Sequence, residues 1–208
     1  MHALHTARPF GRSLSLQHPP LCPEIGLSLL GEKVDLEAEC RDLHDGEPAP
    51  YWAFCWGSGQ ALARFVLVHP AEVADRRVVD FGAGSGVVAI AAALSGAREV
   101  LAVDRDRNAL AAIADNASRN GVAIETAQEI PRSWDLLLAN DVLYEPGTRE
   151  IVLGFCDEGR RVVVSEPDRP GVKGYGATLT RTLLGRYTAT TLPDVDSPTV
   201  SGCVYRLA

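Results

Sequence analysis

A glycine-rich turn between a β-branched run and an apolar stretch places the strongest constraint on how this chain folds. The β-branched run is Arg77–Asp80, the turn is Asp80-Phe-Gly-Ala-Gly-Ser-Gly86, and the apolar stretch is Val87–Leu94. Glycine permits positive φ angles and has no Cβ atom, so a ligand can approach its backbone closely. The pattern predicts a strand, a tight turn and a buried helix. The turn either binds a ligand or is a tight structural turn without one.

Strand-like and helix-like segments alternate along the rest of the chain. Further strands are predicted at Glu99–Asp104, Val122–Thr126, Trp134–Ala139 and Arg161–Ser165, and helices at Arg107–Asn120, Pro146–Phe155 and Ala177–Leu184. Two final strand-like runs, Tyr187–Leu192 and Val200–Arg206, are joined by a short polar link, which favours an antiparallel pair. This alternation is typical of an α/β domain whose parallel, doubly wound sheet is covered by helices on both faces.

Composition and charge exclude several classes of protein. The 208 residues include 20 Lys+Arg against 27 Asp+Glu, a net charge of -7, which disfavours nucleic-acid binding through phosphate neutralisation. No run of 18 apolar residues occurs, so no membrane span or membrane partner is predicted. The five cysteines lack any C-x-x-C spacing, and we expect reduced thiols in a cytoplasmic protein. The histidines all precede the glycine turn without metal-ligand spacing, so no metal site is predicted.

The N-terminal segment differs from the rest of the chain. Residues 1–22 contain Arg8, Arg12 and three histidines but no acid. Pro19 and Pro20 lie near the end of this segment, and Pro23 follows it. They lack the apolar core of a secretory signal, which leaves a flexible tail as the prediction and an organelle transit peptide as the alternative. Residues 23–208 are predicted to form a single domain, with an N-terminal arm, residues 23–65, over the sheet.

Polar residues end three of the predicted strands. In doubly wound sheets, ligands bind beyond the carboxyl ends of the strands, where the strand order reverses. The segments Asp80–Gly86 and Asn140–Glu145 and the single residue Asp104 occupy such ends. Asp104 is suited to accept both hydroxyls of a ribose. The dinucleotide fingerprint G-x-G-x-x-G is not met, because Val87 occupies its last position, so an NAD-dependent oxidoreductase is disfavoured.

Four stretches together resemble a known enzyme group. The glycine motif with its second-strand acid resembles motif I of class I S-adenosylmethionine-dependent methyltransferases. Segment Pro50–Arg64 resembles the segment before that motif in the lysine methyltransferases of the electron-transfer flavoprotein β-subunit and their bacterial relatives. Asp141–Tyr144 matches the D-x-x-Y signature of seven-β-strand protein methyltransferases, and Glu166–Pro170 is similar to that family's Asp-Pro-Gly-Arg-Pro stretch. The similarity runs from about Pro23 to the C-terminus.

The resemblance implies a fold, a cofactor and an acceptor. The fold is a Rossmann-like, mostly parallel seven-stranded sheet with an antiparallel C-terminal strand pair. The cofactor is S-adenosyl-L-methionine, and the activity is protein lysine N-methylation, with the electron-transfer flavoprotein β-subunit as candidate acceptor. Implied cofactor-binding residues are Trp56, Asp80, Gly82, Ala83, Gly84, Gly86, Asp104, Arg105 and Asn140, and implied catalytic residues are Asp141, Tyr144 and Glu145. The sequence departs from the family at Gly57-Ser58, Asn140, Glu166 and Asp168, where the family has Pro-Gly, a small residue, Asp and Gly.

The chemistry of lysine methylation explains the implied catalytic residues. A lysine amine, with an ordinary pKa of about 10.4, must lose a proton and be positioned before it attacks. Asp141 would orient the ammonium group, or it caps the following turn. Tyr144 would pack over the acceptor chain or accept a hydrogen bond, and Glu145 is a second carboxylate candidate.

Aromatic residues concentrate just before the glycine turn. Trp56 either faces the sulfonium cation of the cofactor or anchors the entry helix in the core. The cluster of Tyr51, Trp52, Phe54 and Trp56 either lines the acceptor side of the pocket or ties the arm to the sheet. Two other functions stay open at this point, namely a small-molecule N-methyltransferase on the same fold and a non-catalytic adenosyl-binding module.

Overall fold

The computed structural model describes residues 8–31, 33–41, 43, 49–130, 133–168, 180–195 and 199–208. Within these residues the strands are β1 (Leu14–Gln17), β2 (Leu27–Leu30), β3 (Arg77–Phe81), β4 (Glu99–Val103), β5 (Glu125–Ala127), β6 (Leu136–Asn140), β7 (Arg161–Pro167), β8 (Arg181–Ala189) and β9 (Val200–Leu207). The α-helices are α1 (Leu36–Arg41), α2 (Gly57–Val68), α3 (Val87–Leu94), α4 (Arg107–Arg119) and α5 (Pro146–Asp157). None of these helices is both long and apolar enough to cross a bilayer.

Strands β3 to β9 form one sheet in the order β5-β4-β3-β6-β7-β9-β8. Strands β3 to β7 pair in parallel, whereas β9 runs antiparallel to both β7 and β8. The predicted mostly parallel sheet with an antiparallel C-terminal pair is therefore confirmed. The chain runs outward from β3 to β4 and β5 and then returns to the other side of β3, so the strand order reverses between β3 and β6. A crevice for a ligand forms at this point in doubly wound sheets.

The central strands are apolar on both faces because helices cover both sides of the sheet. Val78 and Leu138 pack with Ile90 of α3 on one face. Val79 packs with Val152 of α5 on the other face. Strands buried in this way need continuous apolar runs rather than alternation, as the sequence of β3 and β6 shows.

The position of β5 differs from the prediction of Val122–Thr126. Gly121 has φ +66°, and the Val122 N–H donates to the Ala117 carbonyl at 3.1 Å. This hydrogen bond closes the C-terminal end of α4 and holds Val122 outside the sheet. The strand therefore begins three residues later, at Glu125.

The predicted helix Ala177–Leu184 is wrong where the structure describes it. Residues 181–184 belong to β8, in which Arg181 pairs with Leu207 and Leu183 pairs with Tyr205 of β9. Residues 177–179 lie outside the described part of the chain. Pairing with a neighbouring strand outweighs local helix preference here.

Part of the segment predicted as a flexible tail, residues 8–22, contains a strand in the structure, and residues 1–7 lie outside the described part. Strand β1 pairs antiparallel with β2, with Leu14 opposite Leu30 and Gln17 opposite Leu27. Cys22, between the strands, is fully buried. The apolar side chains of β2 are all buried, which explains why the segment folds onto the domain.

Asn116 joins this hairpin to the glycine turn. Its side chain is fully buried and is hydrogen-bonded on both sides. Its Oδ1 accepts from the Ser28 N–H of β2 at 2.8 Å, and its Nδ2 donates to the Ser85 carbonyl at 2.9 Å. The Asn116 side chain of α4 therefore bridges the N-terminal hairpin and the backbone of the glycine turn.

Replacing Asn116 by alanine should destabilise the protein. Asn116→Ala leaves a buried N–H and a buried carbonyl without partners, so we expect a loss of about 2–3 kcal/mol in the free energy of unfolding. Asn108→Ala is the matched control, since Asn108 is exposed on the same helix. Urea denaturation of both variants measures the difference. Equal unfolding midpoints for the two variants would contradict the bridging role of Asn116.

Candidate functional site

The glycine turn is fixed to the end of strand β4 by its own backbone. Gly82, Gly84 and Gly86 have φ angles of +70°, +53° and +83°, which favour glycine at each position. The N–H groups of Gly82 and Ala83 both donate to the Val103 carbonyl, at 2.9 and 3.1 Å. Backbone hydrogen bonds therefore attach the first part of the turn to the end of β4.

The glycines of the turn have different surroundings. A Cβ at Gly84 would have no neighbour nearer than the Trp52 Cα at 3.9 Å, so this position opens onto free space. Gly82 is exposed, and a Cβ there would lie 3.0 Å from Val142 after β6. Gly86 is buried, and its Cβ would meet Ile113 at 3.2 Å. Gly82 and Gly84 border the crevice, whereas Gly86 serves packing.

Asp104 lies just beyond β4 and beneath the turn. Its Oδ2 accepts from the Gly84 N–H and its Oδ1 from the Asp106 N–H, both at 2.9 Å. Partial burial raises the pKa of Asp104, and the two N–H groups oppose that rise. Each carboxylate oxygen can accept a second hydrogen bond, so the group keeps capacity for a ligand. The neighbouring Arg105 is exposed and pairs with Glu145 at 3.5 Å.

Asp80 serves helix α3 from a fully buried position. Its Oδ2 accepts from the Ala89 N–H at 2.9 Å, in the first turn of that helix. Its Oδ1 has no hydrogen-bond partner among the described residues. Burial raises the pKa of Asp80 to about 7, the Ala89 N–H lowers it, and the charge of Asp104 raises it further. The side chain of Asp80 therefore contacts the start of helix α3, whereas the family resemblance implies a role in cofactor binding.

The aromatic cluster divides into a buried and an exposed pair. Trp52 and Phe54 are 5% and 1% exposed and pack with Ala109 of α4. Trp56 precedes α2, donates its Nε1–H to the Tyr51 carbonyl at 3.1 Å, and has its ring centroid 5.9 Å from that of Tyr51. The buried pair ties the arm to the domain, while Tyr51 and Trp56 form part of the surface.

The loop after β6 has a constrained backbone. Asp141 has φ +49°, and its N–H donates to the Ser165 carbonyl at 2.9 Å. The Glu166 Oε1 accepts from the N–H groups of Val142 and Leu143, at 3.3 and 3.4 Å. Three successive N–H groups of the loop are thus bound to strand β7.

The side chains of this loop gather at the rim of the crevice. Tyr144 is 61% exposed. Partial burial raises its pKa, and the charges of Asp141, Glu145 and Tyr51 raise it further. Tyr144 is therefore a surface residue whose ionisation the neighbouring acids oppose.

Asn140 packs against the start of helix α2. Its Oδ1 lies 3.2 Å from where a Cβ of Gly59 would be, so the glycine leaves the room that the Asn140 side chain occupies. Sequence reasoning noted Asn140 as a departure but missed Gly59. It noted Glu166 likewise, without its contacts. For Asn140 and Glu166, the only signal in the sequence was their departure from the family pattern.

The segments predicted for the site lie close together at the carboxyl ends of β3, β4 and β6. A Cβ at Gly82 would lie 3.0 Å from Val142 of the loop after β6, the Gly84 N–H donates to Asp104, and Arg105 pairs with Glu145 at 3.5 Å. The buried Asp80, Ala83 and Gly86 support the crevice from beneath. Across the described residues, no three His, Cys, Asp or Glu side chains gather in a group that could hold a metal ion. The arrangement can accept hydrogen bonds from hydroxyls at one end and orient a cation at the other.

Comparison with known proteins shows relatives with named activities. Residues 61–146 match the family of ribosomal protein L11 methyltransferases (PrmA). The chain is 34% identical over 182 residues to the electron transfer flavoprotein beta subunit lysine methyltransferase of Rattus norvegicus, covering 81% of this chain and 70% of that one. Identity to the Mus musculus protein of the same name is 36% over 169 residues, covering 74% and 65%. The chain thus spans slightly less than two thirds of the mouse relative.

A solved structure shows the same fold. The magnesium protoporphyrin IX methyltransferase of Synechocystis PCC 6803, crystallised with bound SAM, aligns with a TM-score of 0.53. The alignment covers 73% of this chain and 79% of that one, at 16% identity. This similarity concerns the fold, and it places the crevice described above in a sheet of the same kind.

Replacing Asp80 by asparagine should change how stability depends on pH. Because the pKa of Asp80 is raised to about 7, the folded state binds its proton more tightly than the unfolded chain does. The wild-type protein therefore loses free energy of unfolding as the pH rises toward 7, and the loss then stops. Asp80→Asn cannot ionise, so its stability relative to wild type should rise by roughly 2–3 kcal/mol between pH 5 and pH 8.

Urea denaturation at four pH values across this range measures the effect. Asp157→Asn, at an exposed aspartate near the end of α5, is the control and should follow wild type. Parallel stability curves for Asp80→Asn and wild type would show that the buried carboxyl does not titrate as described.

Proposed function

The chain belongs to the family of electron transfer flavoprotein β-subunit lysine methyltransferases, and we propose that it transfers a methyl group from S-adenosylmethionine to a lysine of a protein acceptor. The observation that carries the proposal is the approach of the glycine turn to the loop after β6, where a Cβ at Gly82 would lie 3.0 Å from Val142 and Arg105 pairs with Glu145 at 3.5 Å. The family resemblance drawn from the sequence motifs is confirmed by these relatives.

Hydrogen bonds already made by the turn favour an adenosyl group over a dinucleotide. The N–H groups of Gly82 and Ala83 bind the Val103 carbonyl, that of Gly84 binds Asp104, and that of Gly86 binds the Ala83 carbonyl. A pyrophosphate needs free N–H groups at such a turn. S-adenosylmethionine has no phosphate, and it supplies an electrophilic methyl group on a sulfonium. The donor set of the turn therefore suits this cofactor.

Asp104 would bind the ribose of the cofactor. Its carboxylate lies at the end of β4, where a ribose diol is bound in related βαβ units. The Gly84 and Asp106 N–H groups fix its orientation from the protein side. The missing Cβ at Gly84 leaves room for the ligand beside this carboxylate.

The other side of the crevice would hold the acceptor lysine. Asp141 and Glu145 are carboxylates that can orient an ammonium group, and the tyrosine rings can pack along its aliphatic chain. Tyr51 and Tyr144 are 51% and 61% exposed, so this rim is open to the surface. An open rim suits a side chain presented by a protein, whereas a small amine would be bound more fully in an enclosed chamber.

The acceptor we propose is the β-subunit of an electron-transfer flavoprotein, as in the names of the relatives. Methylation keeps the charge of a lysine while it removes hydrogen-bond donors. The expected consequence is altered docking of the acceptor to its electron-transfer partners. All five cysteines are free in the structure, which supports the cytoplasm as the compartment.

Asp104→Asn should weaken cofactor binding. A hydrogen bond to a charged group contributes about 1.5–3 kcal/mol, so we expect the Kd for S-adenosylhomocysteine to rise about 10- to 100-fold. Asp106→Asn is the matched control, since it removes the same charge two residues away, at the N-cap of α4. Titration calorimetry measures both, and equal affinities for the two variants would remove Asp104 from the ribose site.

Asp141→Asn should slow methyl transfer and leave cofactor binding in place. Loss of the carboxylate removes the group that orients the ammonium, and we expect kcat to fall about 100-fold. The assay follows labelled methyl groups from S-adenosylmethionine to purified flavoprotein β-subunit, with Asp157→Asn as the exposed control. Transfer by wild type to small amines but to no protein would support the small-molecule alternative instead. Cofactor binding without transfer to any acceptor would support the non-catalytic module.

A further inference from the structure

Glu166 lies at the end of β7, beside the loop that follows β6. It is 2% exposed, although it is a glutamate. The last paired residues of β6 and β7 are Asn140 and Ser165, so Glu166 is level with Asp141. On its other side, Glu166 pairs with Cys203 of β9. The sheet therefore holds the backbone of Glu166, so the side chain extends from a fixed Cα position.

The carboxylate of Glu166 binds the backbone of the loop. Its Oε1 accepts from the Val142 N–H at 3.3 Å and from the Leu143 N–H at 3.4 Å. The Ser165 carbonyl accepts from the Asp141 N–H immediately before them. One carboxylate oxygen of Glu166 therefore holds the peptide groups of Val142 and Leu143, the two residues between Asp141 and Tyr144.

The backbone at Asp141 makes this contact important. Its φ of +49° is in the left-handed region, which residues with a Cβ adopt at an energetic cost. Such a conformation persists only where the surrounding contacts enforce it. The Ser165 carbonyl fixes the N–H of Asp141, and Glu166 fixes the two peptide groups that follow. Without Glu166, the loop has less to keep it from relaxing.

We propose that Glu166 is a positioning residue that holds Asp141 and Tyr144 in the orientation needed by the acceptor lysine. This inference rests on the proposed function for its catalytic consequence. The hydrogen bonds of Glu166 go to the loop after β6, whereas Asp104 and the glycine turn lie at the ends of β4 and β3. Its effect should therefore fall on methyl transfer and not on cofactor affinity.

The test compares three substitutions at one position. Glu166→Gln keeps the length and one accepting oxygen, Glu166→Asp withdraws that oxygen by one methylene group, and Glu166→Ala removes it. We expect kcat to fall about 10- to 100-fold in Glu166→Asp and Glu166→Ala, because displacement of about 1 Å at a reacting group has effects of this size. Glu166→Gln should stay within about threefold of wild type, and the Kd for S-adenosylhomocysteine should stay within about threefold throughout.

Amide hydrogen exchange over residues 141–144 gives a second readout that needs no acceptor. Protection of the Val142 and Leu143 amides should be lost in Glu166→Asp and kept in Glu166→Gln. Where Glu166→Ala fails to fold, these two variants decide the question. Unchanged amide exchange and unchanged kcat in Glu166→Asp would overturn the proposal. It would also be overturned if kcat, cofactor affinity and melting temperature all fell together in Glu166→Gln.

A failure of the proposed function would look different. Wild-type protein would then transfer no methyl group to the β-subunit, while exchange at the two amides still depended on Glu166. A double substitution, Asp141→Asn with Glu166→Asp, locates the effect further. If Glu166 acts through Asp141, then Glu166→Asp should lower kcat much less in the Asp141→Asn background than in wild type, and fully additive losses would contradict it.

Discussion

The end of strand β4 determines the shape of the site. The Val103 carbonyl accepts two N–H groups of the glycine turn, and the Asp104 carboxylate accepts a third. These bonds join the connection after β3 to the strand beside it, so the turn cannot move independently of the sheet. The turn in turn fixes the start of α3, where the buried Asp80 accepts the Ala89 N–H. The Asp104 carboxylate, which we propose binds the ribose, is thus oriented by the protein before a ligand arrives.

The same bonds limit what the crevice can recognise. A turn whose N–H groups are used internally has few donors left for an anion, and its exposed polar atoms are chiefly acceptors. Acceptors suit hydroxyl and ammonium groups, which an adenosyl ligand and a lysine both present. This pattern of donors and acceptors separates the site from dinucleotide sites more clearly than the position of the third glycine does. Gly86 itself is buried beside Ile113 and does not face the crevice.

Local sequence signals could predict the central part of the fold and the polar segments at the ends of its strands. The strand, glycine turn and helix from Arg77 to Leu94 depend on neighbouring residues, so periodicity and glycine spacing reveal them. The N-terminal hairpin could not be predicted in this way, because the Ser28 N–H is bound by Asn116, 88 residues away. Strand β8 likewise depends on its pairing with β9. The bonds of Glu166 to Val142 and Leu143 span 24 and 23 residues, and no local pattern indicates them.

The comparisons and the structure together separate a shared part of the site from a variable part. The stretch that matches ribosomal protein L11 methyltransferases, residues 61–146, contains the glycine turn, Asp104 and the loop through Tyr144. Glu166 on β7 lies outside this stretch, yet its carboxylate accepts hydrogen bonds from that loop. Enzymes with different acceptors can keep the same cofactor half and alter the residues that frame the loop. The end of β7 is therefore where we would first seek residues that adapt the loop to its acceptor, because Glu166 is bonded to the loop and lies outside the matched stretch.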